Sequence, residues 1–224
     1  MNGHPHPPIN TRLMTYDFPE ERHGETASHA SRETSHESRA TSHGSEVISH
    51  KSGATEAVVR AATPNDRQPI YHLLMNAGIF GQADADCVDE MFRGTWAALQ
   101  ADANADTYHW LSCWLDDQLA GFACFGTESL TQGTWDLFWI CVAPSARGQG
   151  VGRALMHNVV ARAKAAGARL MVIYTSSTAP YAPARRLYES QEFTRSAIVD
   201  DYYRDGDHLY IYSKRLNLID QTSD

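Results

Sequence analysis

Nowhere in the 224-residue chain does an apolar run approach the ~18 to 20 residues that a membrane-spanning helix needs. The polar N-terminus also lacks the apolar core of a secretion signal, so a cytoplasmic location without a membrane partner is expected. Basic residues are in deficit: 19 Lys and Arg stand against 27 Asp and Glu, a formal net charge of -8. With no basic stripe to neutralise phosphates, a nucleic-acid partner is not expected, whereas a cationic partner is compatible with this charge. Cysteine is scarce. Cys87, Cys113, Cys124 and Cys141 show neither C-x-x-C pairing nor metal-ligand spacing, so reduced, mostly buried thiols and no bound metal are expected. Large apolar residues are nearly missing from positions 1–54, which are rich in Ser, His, Glu, Thr and Arg and cannot bury enough surface to offset ordering entropy. The sequence thus predicts a disordered tail over 1–54, one folded domain over 55–216 and a short C-terminal tail over 217–224.

The tail contains a repeat of period seven, from Ser28 (SHASRET), Ser35 (SHESRAT), Ser42 (SHGSEVI) and Ser49 (SHKSGAT). Coiled coils need apolar a and d positions, and these repeats have almost none. His29, His36, His43 and His50 recur strictly, and His-rich tracts can bind metal. A seven-residue spacing in a flexible chain gathers ligands only at an entropic cost, so repeat expansion without chemistry is the reading adopted.

What the chain does contain is the run Arg147-Gly148-Gln149-Gly150-Val151-Gly152, set between the apolar segment Trp135 to Val142 and an amphipathic stretch. The upstream segment suits a buried strand, ended by Ala143-Pro144-Ser145-Ala146. Downstream, Val151, Leu155, Val159 and Ala163 recur every four residues until Gly167 offers a stop, so the glycines open a helix. Outward-pointing N–H groups and the helix dipole make such an end a seat for phosphate. Gly148, Gly150 and Gly152 bare the backbone there, and Arg147 adds a cation with a bidentate fork. A dinucleotide fingerprint fails because Arg153 stands three residues after Gly150, and a Walker loop fails because no Lys follows Gly152.

The remaining pattern, R-x-x-G-x-G after a strand, resembles the [QR]-x-x-G-x-[GA] signature of the GNAT superfamily of acetyl-CoA-dependent N-acetyltransferases. Asp136 to Pro144 looks like that family's fourth strand, and Arg186-Leu187-Tyr188-Glu189-Ser190-Gln191-Glu192-Phe193 resembles its R-x-[FY]-Y-x-x-x-G-[FY] segment. The resemblance covers roughly residues 56–215. It implies an α/β fold with a mixed, mostly antiparallel central sheet flanked by helices on both faces. It also implies acetyl-CoA as co-substrate, held by Ile140, Cys141 and Val142 at the strand end and by Arg147, Gly148, Gln149, Gly150, Val151, Gly152 and Arg153. By resemblance Tyr188 protonates the departing thiolate, as a neutral phenol can, and Asp136 draws a proton from the acceptor ammonium. An unperturbed Asp is a poor base for an ammonium, so Asp136 needs burial or a water relay for that task, and a structural role is the alternative. The implied acceptor is a primary amine of a small molecule or amino acid. A peptide acceptor, a non-catalytic acyl-CoA sensor and a homodimer stay open.

Two positions depart from the family pattern. Tyr181 stands where many relatives have Asn, and Glu192 stands where Gly precedes the aromatic, costing on the order of 1 kcal/mol if φ is positive there. Thr175-Ser176-Ser177 with Tyr181-Ala182-Pro183-Ala184-Arg185 resembles a GNAT subgroup. The stretch Asp200 to His208, with four carboxylates, Tyr202 and Tyr203, could hold a cationic amine, although a solvated Asp-Gly turn is the simpler reading.

The elements predicted from patterning are a strand over Val58–Ala61, a helix from Thr63-Pro64 to about Asn76, and a second helix over Asp84–Leu99. A hairpin over Tyr108–Leu115 and Leu119–Phe125, turning at Asp116 to Gln118, comes next, then the fourth strand and third helix. A strand over Arg169–Tyr174, a helix over Pro183–Gln191 and a hairpin pairing Ala197–Val199 with Leu209–Tyr212 complete the set.

Overall fold

The computed structural model describes residues 57–216; the expectations for the two tails and the His repeat lie outside the described residues. The elements run β1 (Val58–Ala61), α1 (Arg67–Met75), α2 (Gln82–Ala101), β2 (His109–Leu115), β3 (Gln118–Thr127) and β4 (Thr134–Val142), then α3 (Val151–Ala165), β5 (Leu170–Ser176), α4 (Ala182–Ser190), β6 (Thr194–Arg204) and β7 (Asp207–Arg215). The seven strands form one sheet in the order β1-β2-β3-β4-β5-β7-β6. Only β4 and β5 are parallel, joined through α3, and every other neighbouring pair is antiparallel.

Period-two alternation sends successive side chains to opposite faces, and each face has its own core. On β3, Phe122 and Cys124 join Ile70, Leu74, Val88 and Phe92 of α1 and α2, whereas Ala123 and Phe125 join Val151, Leu155, Met156 and Val159 of α3. The expected layering, with helices on both faces of a mostly antiparallel sheet, is the observed one. All four cysteines are buried.

Several boundaries differ from the patterning for local reasons. Pro64–Asp66 forms a 3-10 turn ahead of α1, with buried Asp66 taking the Thr63 N–H at 2.9 Å and the Arg60 guanidinium at 2.7 and 2.8 Å. Helix α2 starts two residues before Asp84, because the Asp84 carboxylate reaches back to the Gly81 N–H at 2.8 Å and so sits inside the first turn. Asp116 and Asp117 both take positive φ, closing a two-residue turn, so Gln118 belongs to β3 rather than to the turn. Strand β6 is far longer than the predicted three residues, and almost every position of it is exposed.

Candidate active site

The site is built where β4 parts from β5. Strand β4 pairs with β3 from Trp135 to Val142, with Phe138 as the extra residue of a bulge between Leu137↔Phe125 and Trp139↔Cys124. Its pairing with β5 stops at Leu137↔Ile173, while β5 continues against β7 to Ser176↔Leu209. The strands therefore splay, and the β5-facing backbone edge of β4 from Phe138 onward opens into a cavity of about 1390 Å³. Ile140, Cys141 and Val142 line it.

Beyond the strand end, a 3-10 turn at Pro144–Ala146 leads into the glycine run. Gly148 (φ 78) and Gly150 (φ 82) are left-handed, and a Cβ at either would meet nothing within 4 Å. Both glycines are thus required by backbone conformation rather than by crowding. Gly150 is the N-cap of α3, whose first helical bond runs from Ala154 N–H to Gly150 O at 2.9 Å. The N–H groups of residues 151–153 therefore point out of the helix end, alongside Gly148, Gly150, Val151, Gly152 and Arg153 on the cavity wall. Gly152 has a packing duty as well, since a Cβ there would come within 3.1 Å of Leu187. Gln149 lies outside the lining, its amide donating to Ser145 O at 2.8 Å. Arg147 lines the cavity, but its guanidinium donates to Ala77 O at 2.8 Å, tying the cradle to the loop after α1.

Tyr188 projects from α4 into the same cavity and is only 5% exposed. Its ring meets Tyr212 edge-on at 5.8 Å, and no hydrogen bond engages its hydroxyl among the described residues. Burial, then the neighbouring Tyr212, pushes its ionisation well above the ordinary phenol value. Tyr212 itself is pushed up to about 12, by burial and then by its 2.8 Å hydrogen bond to Glu189 Oε1.

Helix α4 is clamped from below. Arg185 Nη1 donates to the carbonyls of Ser176 (2.7 Å) and Thr178 (2.8 Å), and Ser176 Oγ donates to buried Asp207 at 2.5 Å. The Thr-Ser-Ser and Tyr-x-Pro-Ala-Arg strings thus meet as the joint that orients Tyr188. Glu192, which ends that segment, has φ 65, the strained conformation anticipated for it. Asp136 is 1% exposed and lines the cavity from β4.

The stretch Asp200 to His208 contributes only Tyr202 and Tyr203 to the wall. Two of its polar groups bind within their own turn, Asp201 Oδ1 accepting the Gly206 N–H at 2.8 Å and His208 Nδ1 accepting the Asp201 N–H at 3.0 Å, while Asp207 takes the Ser176 hydroxyl. On the opposite wall the sequence had named no individual site residue. There Phe80 meets Trp139 edge-on at 5.7 Å, Tyr108 meets Phe138 at 5.0 Å, and carboxylates from α2 and the loops line the space. The acidic residues of the second predicted helix were a visible signal, but which face they occupied was not.

The model of the Acetyltransferase (GNAT) family matches residues 70–193, and the chain belongs to that family. It is therefore an acyltransferase. It is 34% identical to a solved GNAT-family structure from Desulfovibrio desulfuricans, covering 72% of this chain and 99% of that one with a TM-score of 0.66. It is 27% identical over 103 residues to the uncharacterized N-acetyltransferase YsnE of Bacillus subtilis (strain 168), covering 46% of this chain and 67% of YsnE. The fold is shared with yncA of Salmonella typhimurium, solved with its cofactor acetyl-CoA, at 20% identity, 72% and 95% coverage and a TM-score of 0.57.

Proposed function

We propose that this protein transfers an acetyl group from acetyl-CoA to the primary amine of a small molecule or amino acid. The observation that carries the reading is the buried Tyr188 hydroxyl, which lines the same cavity as the glycine cradle and the open edge of β4. Gly148 and residues 150–153 would seat the diphosphate of the donor on the α3 N-terminus, and the free edge of β4 at Ile140 to Val142 would hold its pantetheine arm in strand-like fashion. Asp136, directly or through water, takes a proton from the acceptor ammonium. The neutral nitrogen then attacks the thioester carbonyl, forming the C–N bond, while a backbone N–H near Cys141 or Val142 stabilises the developing oxyanion. As the C–S bond breaks, Tyr188 O–H gives its proton to the thiolate, and the second proton of the attacking nitrogen passes through water to restore the Tyr188 phenol. The raised ionisation of Tyr188 suits this acid role.

A sensor without catalysis is disfavoured because it would have no use for a buried phenol aimed into the cleft.

The test is chromatographic measurement of CoA released from acetyl-CoA with a panel of amino acids, polyamines, aminoglycosides and short peptides. Release above the acceptor-free rate with one chemical class is expected. Bound acetyl-CoA with no release across the panel would shift the reading to the sensor.

A further inference from the structure

The charged residues that line the cavity divide by sign and by place. Five are acids: Asp84 and Glu90 on α2, Asp106 before β2, Glu128 after β3 and Asp136 on β4. Among the described residues the lining contains two cations, Arg147 and Arg153, both in the cradle, and no Lys or His. Arg147 is directed to Ala77 O. The lining also holds the aromatic pairs Tyr108–Phe138 and Phe80–Trp139. A second, independent observation marks this cavity as a ligand site: the Tyr188 hydroxyl, on a side chain 5% exposed, faces it without a protein hydrogen bond.

We infer that the acceptor is a linear diamine or polyamine without a carboxylate, its reacting nitrogen near Tyr188 and its remaining ammonium groups held by the acidic wall. This rests on the acetyltransferase reading above and narrows it. The reacting amine gives its proton to Asp136 and is neutral when it attacks, so it is not the charge that the other four acids serve. A spectator ammonium can be, and it keeps its charge throughout the reaction. An amino acid adds a carboxylate that would enter an acidic, partly desolvated space with no cation in the acceptor half to pair with it. Phenyl and indole faces along the way suit an alkylammonium stem. Asp84 takes the Gly81 N–H and Asp106 lies 3.4 Å from Thr127 Oγ1; neither of these partners is cationic, and an ionised carboxylate has further acceptor positions.

The discriminating compounds differ by one group each. 1,5-Diaminopentane is lysine without its carboxylate, and pentylamine is the same chain without its second ammonium. With saturating acetyl-CoA, kcat/KM for 1,5-diaminopentane is expected to exceed that for lysine and for pentylamine at least tenfold, and to fall as salt is raised. Glu90→Gln and Asp106→Asn are each expected to raise the diamine KM roughly 3- to 10-fold and to leave the acetyl-CoA KM unchanged. Lysine or pentylamine turned over as well as the diamine would overturn the inference and leave the acetyltransferase standing. If no amine releases CoA, titration calorimetry with 1,5-diaminopentane decides separately. Binding that weakens in Glu90→Gln supports the cation site while the transferase reading falls; no binding removes the site as well.

Discussion

The acid role proposed for Tyr188 suits surroundings that oppose its ionisation. Burial and the Tyr212 ring raise its value above the ordinary phenol range near ~10, so the protonated form persists through neutral and mildly alkaline pH. Tyr188→Phe keeps the edge-on packing against Tyr212 and removes only the proton donor. Turnover is expected to fall roughly 10- to 1000-fold, with acetyl-CoA affinity nearly unchanged and the shape of the kcat–pH profile below pH ~10 unaltered. A wild-type decline below pH ~9 that vanished in the Phe variant would show instead that this phenol ionises early and is not the acid described. The places of Tyr188 and Asp136 on the cavity wall were legible because both stand at fixed offsets in recognisable strings. The partner of Arg147 was not: the Ala77 carbonyl lies seventy residues upstream, and nothing local marks a backbone oxygen as an arginine's acceptor.

Helix α3 carries the glycine cradle at its start, so the proposed seat of the donor depends on how closely α3 lies on the sheet. Gly121 on β3 sets that distance. A Cβ there would stand 2.8 Å from Cys141 O, 2.9 Å from Val151 Cγ1 and 3.0 Å from Leu155 Cδ1, with backbone on one side and the first turns of α3 on the other. Gly121→Ala is expected to cost about 1 to 3 kcal/mol in chemical denaturation by overpacking, and to weaken acetyl-CoA binding by displacing residues 148–153. Wild-type stability and affinity in that variant would mean that α3 can shift freely and the cradle does not depend on this contact. Helix α3 was readable from the period of its apolar stripe, and β4 from its almost unbroken apolar run. Gly121 was silent because its importance lies in an approach between two elements about thirty residues apart. Strand β6 was read too short because it is exposed nearly throughout, so no burial pattern extends along it and its pairing with β7 alone defines its length.

The whole molecule joins elements that sequence order keeps apart: the acidic wall draws on α2, two loops and β4, which is why its sign was visible in composition but its location was not. The same two-sided burial has a consequence for stability. Burial pushes the Cys113 thiol up to about 11 and the Cys141 thiol up to about 12, the latter partly offset by Arg147 and a backbone hydrogen bond. In the unfolded chain both ionise near ~8.5. Below that pH both states hold the protons and neither thiol affects the balance. Above it the unfolded chain releases protons that the folded one retains, so unfolding is favoured progressively until pH passes about 11 to 12, where the folded thiols ionise too. Each thiol contributes a slope of up to about 1.4 kcal/mol per pH unit across that window. Melting temperature is therefore expected to drop steadily from pH 9 to 11. Cys113→Ser and Cys141→Ser, measured by calorimetry at fixed ionic strength, should start lower because each buries a hydroxyl but decline less steeply. The slope, not the starting level, decides: an alkaline decline as steep in the double variant as in the wild type would assign the loss to other groups and remove the two thiols from the account.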